Sequence, residues 1–188
     1  MRSVTKPQVF WLSTLIGLIL VVAGFGYDDW SSRPPQSPLN RLVADIWVSE
    51  QLHLDAIANL RARGFRTLID LRPDGEAPDQ PPASEVESAA LGNNMRFFYV
   101  PVPHGDIPEE AVTALAKALA NSPKPVLLYC RSGRRAARTW SLVEAARPNG
   151  LDANAIQAAV KAAGQSVDDL NAVILQRISH RSPDSGGS

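Results

Sequence analysis

Pro125-Val126-Leu127-Leu128-Tyr129-Cys130-Arg131-Ser132-Gly133-Arg134-Arg135 is the stretch that decides how this chain is read. An apolar, β-favouring run ends in the only cysteine of 188 residues. A short loop with one glycine and three arginines (Arg131, Arg134, Arg135) follows, and then the helix formers Ala136, Ala137 and Arg138. That order spells strand, tight turn and helix start, with a thiol at the mouth of the turn. The first N–H groups of a helix lack intrahelical acceptors, and the macrodipole makes that end electropositive, so it attracts anions. Guanidinium groups add a planar fork for a tetrahedral oxyanion. The same field favours thiolate over thiol, and the thiolate is the nucleophile. Taken singly, a lone cysteine is usually a small buried hydrophobe, and an arginine cluster is usually a solvated helix face. Their coincidence at a strand end is what points to chemistry.

The rest of the composition excludes several classes. Nineteen basic and 19 acidic residues cancel, so the global charge implies no nucleic-acid partner. The three histidines (His53, His104, His180) are scattered, and with a single cysteine they make no metal-ligand spacing. No metal and no cofactor are expected, and one cysteine allows no internal disulfide.

No charged residue lies between Pro7 and Tyr27. Residues 9–27 are long and apolar enough to span a bilayer as one helix, with Trp11 and Tyr27/Trp30 near the two interfaces. Arg2 and Lys6 precede this segment and Asp28 and Asp29 follow it. The positive-inside rule then puts residues 1–8 in the cytoplasm and everything beyond residue 28 outside, which in a bacterium means a single-pass inner-membrane protein with a periplasmic catalytic domain. A cleaved signal peptide is the competing reading. Its exit, Val22-Ala23-Gly24-Phe25-Gly26-Tyr27, is a poor small-x-small site, so an uncleaved transmembrane anchor is the expectation. Residues 28–40 read as a Pro/Ser-rich linker, 41–178 as the catalytic domain and 179–188 as a disordered tail.

Within the domain, strand and helix patterns alternate. Residues 46–48, 66–71, 95–102 and 126–129 read as strands; 51–63, 83–91, 108–120, 134–146, 153–163 and 167–178 read as helices. Asp106 stands near the start of the helix over 108–120, with Pro108 in its first turn. The strand at Val126 to Tyr129 is apolar on both faces, as a central strand of a parallel sheet would be. The expectation is an α/β, three-layer domain with a mainly parallel central sheet. Sites in such sheets form at the carboxyl ends of strands, which is where Cys130 falls.

Three separated segments carry a resemblance: Thr67-Leu68-Ile69-Asp70-Leu71-Arg72-Pro73-Asp74-Gly75-Glu76 and on to Pro81, Tyr99-Val100-Pro101-Val102-Pro103, and the Leu128 to Arg135 loop. Over about residues 41–170 the chain resembles the beta-lactamase-hydrolase-like phosphatase-like family. That family belongs to the protein-tyrosine and dual-specificity phosphatase superfamily and is also grouped with the sulfurtransferases. The resemblance implies Cys130 as the nucleophile attacking phosphorus and Arg135 as the phosphate clamp. Arg131, Ser132, Gly133 and Arg134 would complete an oxyanion-binding loop. It implies Asp106, in the His104-Gly105-Asp106-Ile107-Pro108 loop, as the candidate general acid, whose bland alternative is a helix cap. Asp70 and Asp74 are further candidates; Asp70 would pair with an arginine, and Arg72 would edge the pocket. The implied partner is a phosphorylated protein or small molecule.

The loop departs from the superfamily in two places. Arg135 falls at the fifth position after Cys130, giving Cys-x4-Arg where phosphatases have one residue more, and Tyr129 stands where they have histidine. A loop of this length resembles that of rhodaneses, whose cysteine carries a persulfide and delivers it to a sulfur acceptor. Three readings are therefore carried forward: a cysteine-dependent phosphatase, a sulfurtransferase, and a membrane-tethered anion-binding or redox-sensing module.

Overall fold

The computed structural model describes residues 37–181. The cytoplasmic segment 1–8, the anchor expected at 9–27, most of the 28–40 linker and residues 182–188 lie outside the described residues. Among the described residues no helix is long and apolar enough to cross a membrane.

Five four-residue strands make one sheet. They are β1 (Asn40–Val43), β2 (Ile46–Ser49), β3 (Thr67–Asp70), β4 (Arg96–Tyr99) and β5 (Val126–Tyr129), in the order β1-β2-β5-β3-β4. The last four in that order run parallel, and β1 pairs antiparallel with β2 at one edge. The sheet is therefore mixed but mostly parallel. β5 is central, flanked by β2 and β3, and all four of its residues are buried. Its uninterrupted Val-Leu-Leu-Tyr run has this physical reason: both faces are covered.

Side chains alternate across a strand, and β5 shows how this makes three layers. Val126, Leu128 and Cys130 point into a core shared with α3 (Glu109–Ala120), α4 (Arg134–Ala146), α5 (Ala153–Ala162) and α6 (Asn171–Ser179). Leu127 and Tyr129 point into the opposite core, against α1 (Ala56–Ala62) and α2 (Ala83–Gly92). Each fully buried Leu, Ile or Val contributes roughly 1.5–3 kcal/mol.

Several boundaries differ from the sequence expectation. β1 carries no sequence signal of its own: it is short, follows the proline-rich spacer, and exists through pairing with β2. Residues 51–55 do not join α1, because Gln51 is drawn to the site instead: its N–H donates to Arg131 O (3.3 Å) and its side chain accepts from Arg72. The strand expected over 95–102 ends at Tyr99; Pro101 and Pro103 cannot donate to a ladder. The last helical pattern is a 3₁₀ turn, Asp168–Leu170, followed by α6. Packing also reaches past residue 178. Arg181 donates to Ala145 O, Gly150 O, Glu144 O and Leu151 O, at 2.7–3.0 Å, fastening α6 to the end of α4.

Candidate active site

The carboxyl ends of β3 and β5 and the start of α4 form the site. Cys130 follows directly on β5, and the loop turns into α4 at Gly133, which occupies the N-cap position with φ of 79°. Side chains rarely adopt that conformation. A Cβ there would also lie 3.3 Å from Ser49 O and 3.3 Å from Gln165 Nε2. Gln165 holds the loop from the far side by donating to Ser132 O at 3.0 Å. Among the described residues no protein acceptor takes the backbone N–H groups of residues 131–135. Donors left without a protein acceptor at a helix N-terminus are what bind oxyanions.

The thiol sits deeper than the sequence suggested. Cys130 is only 1 % exposed and belongs to the core beneath α4, at the floor of the loop rather than its mouth. Ala136 and Ala137, both fully buried, bring α4 down onto it. Burial works against the charge of the Arg135 guanidinium, and the bond to Glu76, with Cys130 nearby, holds it charged. Arg131, Ser132 and Arg134 have exposed side chains, whereas Gly133 is buried and Arg135 half-buried.

Arg135 is fixed by a partner the sequence reading did not single out. Its Nη1 and Nη2 donate to the two oxygens of Glu76 at 2.6 and 2.7 Å, and Nη1 also donates to Val102 O at 2.7 Å. Arg72, 4 % exposed, donates from Nε to the same carboxylate (3.1 Å) and from Nη1 to Gln51 (2.8 Å). The Arg135 hydrogen bond, reinforced by Arg72, holds Glu76 below the usual carboxylate range against the opposing effect of burial. The signal for Glu76 was present in the Pro73-Asp74-Gly75-Glu76 motif, but nothing local says which of its two acids reaches the loop. Arg72 is thus linked to Arg135 through Glu76, and Gln51 takes its other end.

The aspartates separate into different roles. Asp74 accepts from Ala83 N at 2.8 Å, serving the start of α2, while its own N–H donates to the Tyr99 hydroxyl. Asp70, 1 % exposed, accepts from the backbone N–H of Arg72 at 2.8 Å. Burial raises its pKa to about 6 despite that bond. The expected pairing of Asp70 with an arginine side chain is not made among the described residues: only the main chain of Arg72 bonds to it, because the Arg72 guanidinium is taken by Glu76 and Gln51. Tyr129 is in register with Asp70 across the β3–β5 pair, and its buried hydroxyl reaches no partner in standard geometry. Burial, with Asp70 nearby, pushes the phenol up.

Asp106 is exposed and makes no hydrogen bond or ion pair among the described residues. It does not cap the next helix: α3 starts at Glu109 with Pro108 in the N-cap position and no side-chain cap. Its loop is tethered to the site four residues earlier, where Val102 N donates to Leu71 O and Val102 O accepts from Arg135. In the same loop Gly105 takes φ of 95°, and His104 lies near enough to Glu76 to help hold it ionised. Among the described residues no cluster of His, Cys, Asp and Glu has the makings of a metal site.

A mostly parallel sheet offers a cysteine at the end of its central strand, beneath a glycine-cornered loop closed by an arginine of the following helix. This is an α/β domain of the protein-tyrosine-phosphatase-like class. Residues 39–147 match the family model described as "Beta-lactamase hydrolase-like protein, phosphatase-like domain", and the chain belongs to that family. It is 37 % identical over 97 residues to a beta-lactamase hydrolase-like protein of Xylella fastidiosa, a match covering 52 % of this chain and 22 % of the relative. The chain thus spans about a fifth of the length of that curated relative. Among solved structures, a candidate phosphatase of Neisseria meningitidis superposes with a TM-score of 0.64 at 25 % identity, covering 73 % of this chain and 96 % of the other. Tk-PTP in its active form gives a TM-score of 0.58 at 17 % identity, covering 77 % and 97 %, and shows the shared fold.

Proposed function

We propose that the domain is a cysteine-dependent phosphomonoesterase. The observation that carries this is the run of unengaged loop N–H groups directly after Cys130, with Arg135 held at the end of the same loop by Glu76 and Val102. Of the five guanidinium N–H donors, Glu76 and Val102 engage three in the bonds described above. Nε–H and one Nη2–H remain, a second fork for two phosphoryl oxygens. In this reading the Cys130 thiolate attacks phosphorus, and the P–O bond to the leaving group breaks as Asp106 delivers a proton to that oxygen. Water then cleaves the cysteinyl phosphate with the Asp106 carboxylate as base, releasing phosphate and restoring the thiolate. Arg131, Ser132, Gly133 and Arg134 contribute their backbone N–H groups to the oxyanion, and the exposed Arg131 and Arg134 side chains draw the anion in. The substrate is a phosphorylated protein or small molecule. The anchor at 9–27 and a periplasmic placement belong to the proposal on the sequence alone.

The Cys-x4-Arg spacing favours a second reading, persulfide transfer from Cys130 to a sulfur acceptor. One experiment separates the two. The full chain and its Cys130→Ser variant are assayed for phosphate release from an aryl phosphate and for thiocyanate formation from thiosulfate and cyanide. Cys130-dependent phosphate release without thiocyanate is expected; thiocyanate alone would transfer the domain to sulfur chemistry. Asp106→Asn should slow hydrolysis about a hundredfold or more for a poor leaving group, and much less for a good one.

A further inference from the structure

At the amino ends of β2 and β5, the opposite end of the sheet from Cys130, lies a cavity of about 770 Å³. This is within the usual volume of small-molecule sites. Val43, Ile46, Val112, Leu119, Val143 and Leu151 give it mainly apolar walls. Two buried N–H groups among the described residues find no acceptor, Trp140 Nε1 and Arg177 Nε, and both residues line this one cavity. Trp140 is completely buried. Both groups can only donate, so an occupant that satisfies them must bring acceptor atoms.

The charges at the rim decide what kind of acceptor. Arg177 already pairs with Glu109, and Arg147 with Glu144 at 2.6 Å. Lys124 donates to Leu119 O at 3.0 Å and has Asp45 beside it. The three cations of the lining (Lys124, Arg147, Arg177) are matched by three carboxylates (Asp45, Glu144, Glu109), so it carries no net positive charge to attract a carboxylate, and an anion in its apolar wall would be costly. We propose that this cavity binds a small uncharged amphiphile of the acyl-ester type. Its oxygens accept from Trp140 and Arg177, and its alkyl chain lies along Val112 and Val143. The site uses none of the residues assigned to catalysis.

The test takes the purified full chain and a diazirine-bearing analogue of methyl octanoate, with labelled peptides located by mass spectrometry. Labelling is expected on α3 and α4, displaced saturably by methyl octanoate and at least tenfold less effectively by octanoate. Ala116→Trp, which fills the cavity, should abolish it. Trp140→Phe should weaken displacement about tenfold, the size of one lost hydrogen bond. If Ala116→Trp fails to fold, the competition on the wild-type protein decides by itself. Labelling scattered over the surface, labelling that methyl octanoate does not displace, or equal competition by octanoate would overturn the proposal.

Discussion

Arg135 and Glu76 meet through two parallel bonds of 2.6 and 2.7 Å across 59 positions of sequence. The pair joins the loop after β3 to the first turn of α4 and leaves the Nε edge of the guanidinium unengaged among the described residues. Glu76 is therefore read as the residue that aims Arg135, not as an anion competing for it. Glu76→Gln should lower kcat about ten- to a hundredfold, the loss of one charge-assisted bond in the transition state. Alkylation of Cys130 by iodoacetamide should continue. Unchanged or raised activity would instead make Glu76 a plug that substrate must displace.

Gly133 is where the loop has least tolerance. Gly133→Ala forces a side chain into a left-handed conformation and against Ser49 O and Gln165 Nε2. About 1–2 kcal/mol of backbone strain is expected, with a larger loss in oxyanion affinity because the free N–H groups move apart. Vanadate or phosphate inhibition, measured beside thermal unfolding, reads the two effects separately. Inhibition constants equal to wild type would show that the loop does not bind the oxyanion.

Asp70 gives the folding equilibrium a defined pH dependence. Its pKa rises from 3.8 to about 6 on folding, so the folded state holds the proton more tightly. The stability this confers is fully present below about pH 4 and is lost as pH rises through about 6. From about pH 4.5 to 7.5 the wild type should lose about 2 kcal/mol relative to Asp70→Asn, since asparagine keeps an acceptor for Arg72 N. Urea unfolding of both proteins at the two pH values checks this; parallel pH profiles would refute it.

Arg181 should behave as part of the domain. Removing its four bonds to carbonyls at the end of α4 and beyond, in Arg181→Ala, should cost about 2 kcal/mol. For a domain of this size that is a fall in Tm of about 5 °C. Differential scanning calorimetry decides it, and a Tm within a degree of wild type would mean that these bonds exchange freely with water.

What the sequence determined was local. Four apolar residues without alternation require cover on both faces, so Val126 to Tyr129 had to be central, and a glycine before a run of helix formers had to turn the chain at Cys130. Helix and strand periods gave the α/β alternation, and the three motif segments gave the family. Only the tertiary structure decided that Cys130 lies on the floor of its loop, that Glu76 and not Asp74 grips Arg135, that Asp106 leaves α3 uncapped, and that β1 exists at all. Each of these depends on which strands stand side by side. Backbone propensity acts over a few residues, whereas a buried charge is satisfied by whatever partner the sheet order brings within about 3 Å of it.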